Sequence, residues 1–127
     1  MSNDRMLTLG AVLVCILCSL HFTDDVVRGL ERDGASNLMF VPILTSWLWV
    51  TLVLAQPRWR YVLLFSGSLA AASMPVLHLR AFGGEFAASN EGFFSIWLLL
   101  ALGVIGTFSA ILALRGLWFG ARKSGIT

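Results

Sequence analysis

Five residues near the end of the first apolar stretch could do chemistry together: Cys18, His21, Asp24, Asp25 and Arg28. Residues three and four apart share a face of an α-helix, so this spacing gathers all five side chains on one helical stripe. An imidazole, two carboxylates and a guanidinium each lose hydration near hydrocarbon, which makes such a stripe costly on a lipid-facing helix. The sequence therefore predicts that another part of the protein faces this stripe.

His78 is the second of the two histidines in the chain, and we expect it at a depth similar to that of His21. His21 follows the start of the first predicted helix by about fifteen residues, and His78 follows the start of the third by about seventeen, each residue adding about 1.5 Å. If the two helices are neighbours, they supply two imidazoles and one or two carboxylates, a ligand set suited to zinc, iron or manganese. The candidate metal-binding or catalytic residues are therefore His21, Asp24, Asp25 and His78.

Other interpretations of the same residues stay open. In a purely structural network the two aspartates pair with Arg28 or Arg80, and each histidine hydrogen-bonds a neighbour. In a proton-coupled or catalytic protein, partly buried His and Asp groups would exchange protons near neutral pH. Two imidazoles could also hold a haem, although carboxylates beside His21 disfavour an apolar macrocycle there. No reaction-specific motif separates these interpretations, so the sequence does not decide whether the protein is an enzyme.

Cys15 and Cys18 have the C-x-x-C spacing of dithiol oxidoreductases. Cys15 lies well inside the predicted span, where a low dielectric suppresses the reactive thiolate. Apolar packing is therefore the favoured interpretation. The pair shares a broad helical face with His21, which keeps a soft-metal or quinone-linked redox role open.

Composition places these residues in a membrane protein. The 127 residues are 57% hydrophobic and 13% charged, whereas soluble domains are about 45–50% apolar and about 25% charged. At about 20 apolar residues for each spanning helix, the chain has room for about four helices and no separate soluble domain. The net charge of +2 is small and dispersed, which argues against a nucleic-acid partner. The predicted fold is all-α, an integral membrane four-helix bundle forming a single domain over residues 1–127.

Four apolar stretches are predicted to form the helices, at about residues 6–27, 38–55, 61–80 and 93–114. The first is interpreted as a retained helix and not as a cleaved signal, because no small-residue cleavage site follows it. The second contains no charge, and its Trp47 either fills space in the bundle or flanks a pocket. A five-residue link makes the second and third helices antiparallel neighbours.

Small residues form two stripes that favour close helix contact. On the third helix Gly67 and Ala71 make a groove leading to His78, and Pro75 is expected to kink the helix just before that histidine. On the fourth helix the stripe contains Gly103 and Gly106. Either stripe could contact another helix of the chain, a second copy in a homo-oligomer or a partner membrane subunit.

The basic residues predict the orientation of the chain. One side of the four-helix arrangement carries Arg5, Arg58, Arg60, Arg115, Arg122 and Lys123, and the other carries Arg28, Arg32 and Arg80. The side richer in Lys and Arg is expected to be cytoplasmic. The membrane is expected to be a plasma or inner membrane. Both termini would then be cytoplasmic, and both histidines would lie near the outer face.

The sequence favours a small polytopic membrane protein that contacts the lipid bilayer and carries a His/carboxylate site at the extracytoplasmic end of its bundle. Such a site would bind a metal ion or a small ligand, with or without enzymatic activity. An accessory or structural subunit of a membrane complex and a small proton-coupled transporter are the alternatives.

Overall fold

A computed structural model describes the backbone of residues 2–29, 38–54, 57–79 and 90–124, and the side chains of 2–29, 38–54, 58–78 and 92–119. Four α-helices make up these ranges: α1 at Asn3–Val27, α2 at Phe40–Leu52, α3 at Pro57–Leu79 and α4 at Asn90–Ser124. The helices pack against one another. The predicted all-α four-helix architecture is confirmed.

Three of the four helices are long and apolar enough to cross a membrane, and they indicate an integral membrane protein. The candidate spans are Asn3–Val27, Arg58–His78 and Gly92–Phe119. The remaining helix, α2, is apolar but has only 13 residues. At about 1.5 Å per residue it is about 20 Å long, shorter than the hydrocarbon core of a bilayer, which is about 30 Å thick. A fourth full crossing therefore stays a prediction.

Although α2 is short, its two ends lie beside residues near opposite ends of α1. At its start, the ring of Phe40 lies 4.2 Å between centroids from the ring of Phe22 near the end of α1. At its other end, Arg60 Nη2 donates to Thr51 O at 3.0 Å and to Thr8 Oγ1 at 2.6 Å. The short helix thus connects the level of Phe22 with the level of Thr8, antiparallel to α1.

Helix α4 is antiparallel to α1. Near the start of α4, Ser95 Oγ donates to the carboxylate of Asp24, close to the end of α1. Near the opposite end, Asn3 Nδ2 donates to Leu112 O at 3.1 Å. We call the end that contains His21 and His78 the histidine end, and the opposite end, where α1 begins, the Arg60 end. The described chain runs up α1, down α2, up α3 and down α4.

The closest helix contact joins α3 and α4. A Cβ atom added at Gly106 would lie 2.7 Å from Ala72 N and 2.9 Å from Ser68 O, and one added at Gly103 would lie 2.6 Å from Pro75 Cγ. Only residues without a side chain allow the two backbones this approach. The small-residue stripe of the fourth helix is therefore confirmed as a helix-contact face.

The groove on α3 at Gly67 accommodates a side chain. A Cβ atom at Gly67 would overlap the indole ring of Trp47, and the Nε1 of that indole donates to Ala11 O at 2.9 Å. Trp47 thus reaches from α2 across α3 to the backbone of α1. The close helix approach expected along this groove is found at Ala71, where a Cβ atom added at Gly106 of α4 would lie 3.1 Å from Ala71 C, whereas at Gly67 the Trp47 ring fills the space.

Candidate functional site

The two histidines of the chain meet at the histidine end. The ring centroids of His21 on α1 and His78 on α3 are 5.1 Å apart, and the rings are nearly perpendicular, at 81°. The matching depths predicted from the starts of the two apolar helices are therefore confirmed. His21 is buried, with 6% of its surface exposed, and His78 is half-buried.

Asp25 completes a cluster with the two histidines. It lies one helical turn after His21, and its Oδ2 is 3.5 Å from His21 Nε2. One nitrogen from each imidazole and one carboxylate oxygen of Asp25 all lie within 4.8 Å of one another. This group, which we call the His/Asp/His cluster, could hold a metal ion.

One distance within the cluster can be compared directly with a tetrahedral metal site. With metal bonds of about 2.1 Å, two ligand atoms of a tetrahedral ion are about 3.4 Å apart. The separation of 3.5 Å between His21 and Asp25 already has this value. The upper limit of 4.8 Å on the remaining distances exceeds it by about 1.4 Å. Three protein ligands leave a fourth position for water or another ligand, as in catalytic zinc sites.

Hydrogen bonding prepares one histidine for this role. His78 Nδ1 lies 3.2 Å from Met74 O; in the tautomer with the proton on Nδ1 the ring donates to this carbonyl and Nε2 carries the lone pair. A ring nitrogen that donates to a backbone carbonyl is the usual support for a metal-binding histidine. In the part of the chain that the structure describes, neither buried ring nitrogen of His21 has a hydrogen-bond partner.

Asp24 is placed elsewhere. Its Oδ1 accepts from Arg28 Nε at 2.8 Å, and its Oδ2 accepts from Ser95 Oγ. Consecutive residues of a helix point about 100° apart, so Asp24 faces α4 while Asp25 faces α3. The structure does not bring Asp24 together with the His/Asp/His cluster. The expected pairing with Arg28 is present, and Arg80 lies outside the described residues.

Ser95 is a contact residue that the sequence analysis missed. It is fully buried, and with Arg28 it occupies both oxygens of the Asp24 carboxylate. A lone serine early in an apolar helix gives no specific signal. The sequence indicates a contact with Asp24 only through the depth of Ser95. This residue lies about one turn after the start of α4, which is level with the end of α1.

A cavity of about 250 Å³ adjoins the cluster and is lined by all four helices. His21, Asp25 and His78 contribute to its wall at the histidine end. Most of the remaining wall is apolar, and its residues include Val14, Ile43, Leu44, Trp47, Ala70 and Leu102. The two alternatives considered for Trp47 therefore both hold: its ring fills the space at Gly67, and it also flanks a pocket.

The C-x-x-C cysteines are both free thiols. Cys15 is buried and Cys18 is half-buried, and both line the cavity. They are not part of the His/Asp/His cluster. Their position fits the packing interpretation, since each presents a small, weakly polar surface to an apolar space.

No family model, no curated protein and no solved structure matches this chain. The class that the fold and site define is a small all-α membrane protein of four packed helices, three of them long enough to span a bilayer. Its distinguishing feature is the cluster of His21, Asp25 and His78, which could bind a metal.

Proposed function

We propose that this chain is an integral membrane protein that binds one divalent transition-metal ion, of the zinc, iron or manganese class, through His21, Asp25 and His78. The observation that carries the proposal is the convergence of these three side chains from two helices, with one ligand atom from each within 4.8 Å of the others. Two imidazoles and one carboxylate are a ligand set found in zinc and non-haem iron sites.

The state of His21 supports a ligand role. A buried polar atom without a hydrogen-bond partner costs about 1–3 kcal/mol. Neither ring nitrogen of His21 has a hydrogen bond within the described residues, although Nε2 lies 3.5 Å from Asp25 Oδ2; a metal ion bound to one of these nitrogens would offset part of that cost. His78, in the tautomer whose Nδ1 donates to Met74 O, would present the lone pair of Nε2.

A structural role for this end of the bundle is the second candidate, and the observation that favours it is the placement of Asp24. By accepting from Arg28 and from Ser95, the Asp24 carboxylate ties the end of α1 to the start of α4. In an accessory or structural subunit, His21, Asp25 and His78 would extend this polar network without binding an ion. The two adjacent aspartates therefore provide a test of the two candidates.

Asp25→Asn is expected to weaken Co²⁺ or Zn²⁺ binding by at least about tenfold, because losing even a supporting hydrogen bond at a metal site costs about 10–100-fold. Asp24→Asn is the matched control, since it removes the same charge one residue away and leaves the His/Asp/His cluster in place. Titration of purified protein in detergent, followed by the absorption of bound Co²⁺, measures both affinities. Equal effects of the two variants, or a wild-type protein that binds neither metal, would favour the structural candidate.

We also propose that the Arg60 end faces the cytoplasm. Asn3 and Leu112 meet at this end, which brings together the start of α1 and the second half of α4. Four arginines of the described chain belong to the same end, since they lie close in sequence to the contacts there: Arg5, Arg58, Arg60 and Arg115. An excess of basic residues marks the cytoplasmic side.

Cysteine labelling tests this orientation in a background where Cys15 and Cys18 are replaced by Ala. A membrane-impermeant maleimide should label Val27→Cys at the histidine end in intact cells, because Val27 is 80% exposed. Arg58→Cys should be labelled only after the membrane is permeabilised. The reverse pattern would show that the histidine end faces the cytoplasm.

A further inference from the structure

We infer that the cavity beside the cluster binds a neutral, lipid-soluble aromatic molecule with a hydroxyl oxygen, which arrives from the bilayer between α2 and α3 and presents that oxygen to the bound metal ion. The inference rests on the proposed metal site and names the ligand class that would occupy its open position. Four features of the structure support it: the size of the cavity, its lining, the crevice that shares part of that lining and the position of the cluster.

The size of the cavity fits an organic molecule. An engineered apolar cavity of about 150 Å³ holds benzene, and the present cavity has a volume of about 250 Å³. Two fused aromatic rings are therefore of suitable size. A metal ion alone would leave most of the space empty, which is unfavourable in a packed interior.

The lining separates an apolar part from a polar end. Along α1 the wall begins at Val14, in the middle of the helix, and ends at Asp25 in its last turn. The imidazoles and the carboxylate belong to those last turns, whereas Trp47, Leu44 and Val14 line the deeper part. Ligand pockets typically combine such apolar walls with a few polar groups that fix orientation. A ligand with an apolar body and one polar atom matches this distribution.

A second space on the surface shares part of its lining with the cavity. A wide crevice of about 510 Å³ lies between α2 and α3, and it shares Ile43, Trp47 and Gly67 with the cavity. Two further residues of the crevice, Met39 and Leu63, are 63% and 42% exposed. Because this crevice faces hydrocarbon in a membrane, a molecule that reaches the cavity from this side must be uncharged and lipid-soluble.

The cluster determines which atom the ligand must carry. Three protein ligands leave one coordination position open, and zinc-class ions accept oxygen there. The cavity contacts all three members of the cluster, His21, Asp25 and His78, so an oxygen on a bound ring can reach the ion. A hydroxyl group supplies that oxygen without adding a charge to the molecule.

The test uses zinc-loaded protein in nanodiscs and two probes that differ by one oxygen atom, 2-naphthol and naphthalene. Equilibrium dialysis against empty nanodiscs corrects for partition into lipid. We expect 2-naphthol to bind at least about tenfold more tightly than naphthalene, because a site built around a polar contact discriminates strongly against a molecule that lacks the partner atom. Removing zinc should abolish this preference.

Two variants of α3 test the location of the bound probe. Ala70→Phe places a ring in the cavity, and because this ring competes with the probe for the same space, we expect a loss of about tenfold or more in affinity. Ser73→Phe is the matched control, since Ser73 is also small and exposed but does not line the cavity. Leu44→Trp fills the cavity from α2 and serves if Ala70→Phe does not fold.

The zinc content of each sample separates the two proposals. Failure of the wild-type protein to bind zinc overturns the metal site and this inference with it. If zinc is bound but naphthalene binds as tightly as 2-naphthol, or both cavity variants bind 2-naphthol as well as Ser73→Phe does, the metal site stands and the ligand inference is wrong.

Discussion

Replacing either His21 or His78 with Ala is expected to lower the zinc affinity of this protein by about 100-fold or more. Each imidazole provides one of only three protein ligands in the proposed site, and loss of a mere supporting contact already costs about 10–100-fold at metal sites. Competition with a chromophoric chelator measures the affinities. Thermal unfolding without metal should show that both variants still fold.

The double variant makes this prediction sharper. Because His21 and His78 would bind the same ion, removing the second imidazole after the first should reduce the affinity only a little further, as is usual for residues that act through one partner. Two histidines at unrelated places would instead show additive effects. Additive losses, or a loss confined to one of the two variants, would contradict a shared site.

Gly67→Ala is expected to destabilise the fold by about 2–4 kcal/mol. The new Cβ would occupy the space of the Trp47 indole, and overpacking costs about 1–3 kcal/mol. Displacing the indole also breaks its hydrogen bond to Ala11 O, which adds about 1 kcal/mol. Since Trp47 joins α2 to α1 and α3, we expect α2 to pack less tightly against these helices in the destabilised variant.

Gly10→Ala is the control for this change. Its new Cβ meets chiefly the hydroxyl of Ser109, a group that can rotate and that has no hydrogen-bond partner in the described chain. We therefore expect a cost below about 1 kcal/mol. Unfolding in detergent, followed by tryptophan fluorescence, compares the two variants. A Gly67→Ala protein as stable as Gly10→Ala would mean that the indole does not occupy this position.

The meeting of the two histidines could be predicted from sequence because depth in a helix depends only on the number of residues. The rise of about 1.5 Å per residue is constant, so two histidines at similar distances from the starts of their apolar helices reach the same level. The residue count does not predict whether α1 and α3 approach each other at that level. The separation of 5.1 Å between the ring centroids shows that they do.

The different partners of Asp24 and Asp25 could not be predicted in the same way. The spacing placed Asp24 and Asp25 on one broad stripe of α1, and both were equally good candidates for a site with His21. Which of them meets His78 depends on the positions of α3 and α4 around α1, and these are set by side-chain packing. Ser95, which binds Asp24 from α4, belongs to the same packing problem.

For the small-residue stripes, too, the sequence predicts a close contact but not the group that makes it. Glycines at helical spacing predict that something approaches closely, and at Gly103 and Gly106 the neighbour is indeed α3. At Gly67 the neighbour is the Trp47 ring. Periodicity does not distinguish a backbone from an aromatic side chain, and it cannot indicate a cavity, which exists only where four helices fail to fill the space between them.

The most direct test of the central claim, that His21, Asp25 and His78 hold one metal ion, is X-ray absorption spectroscopy at the zinc edge of the zinc-loaded protein. We expect two imidazoles in the first coordination shell at about 2.0–2.1 Å with oxygen at about 2.0–2.2 Å in the remaining positions, and one imidazole fewer in His78→Ala. A wild-type spectrum without imidazole scattering, or with sulfur at about 2.3 Å as expected for ligation by Cys15 and Cys18, would contradict it.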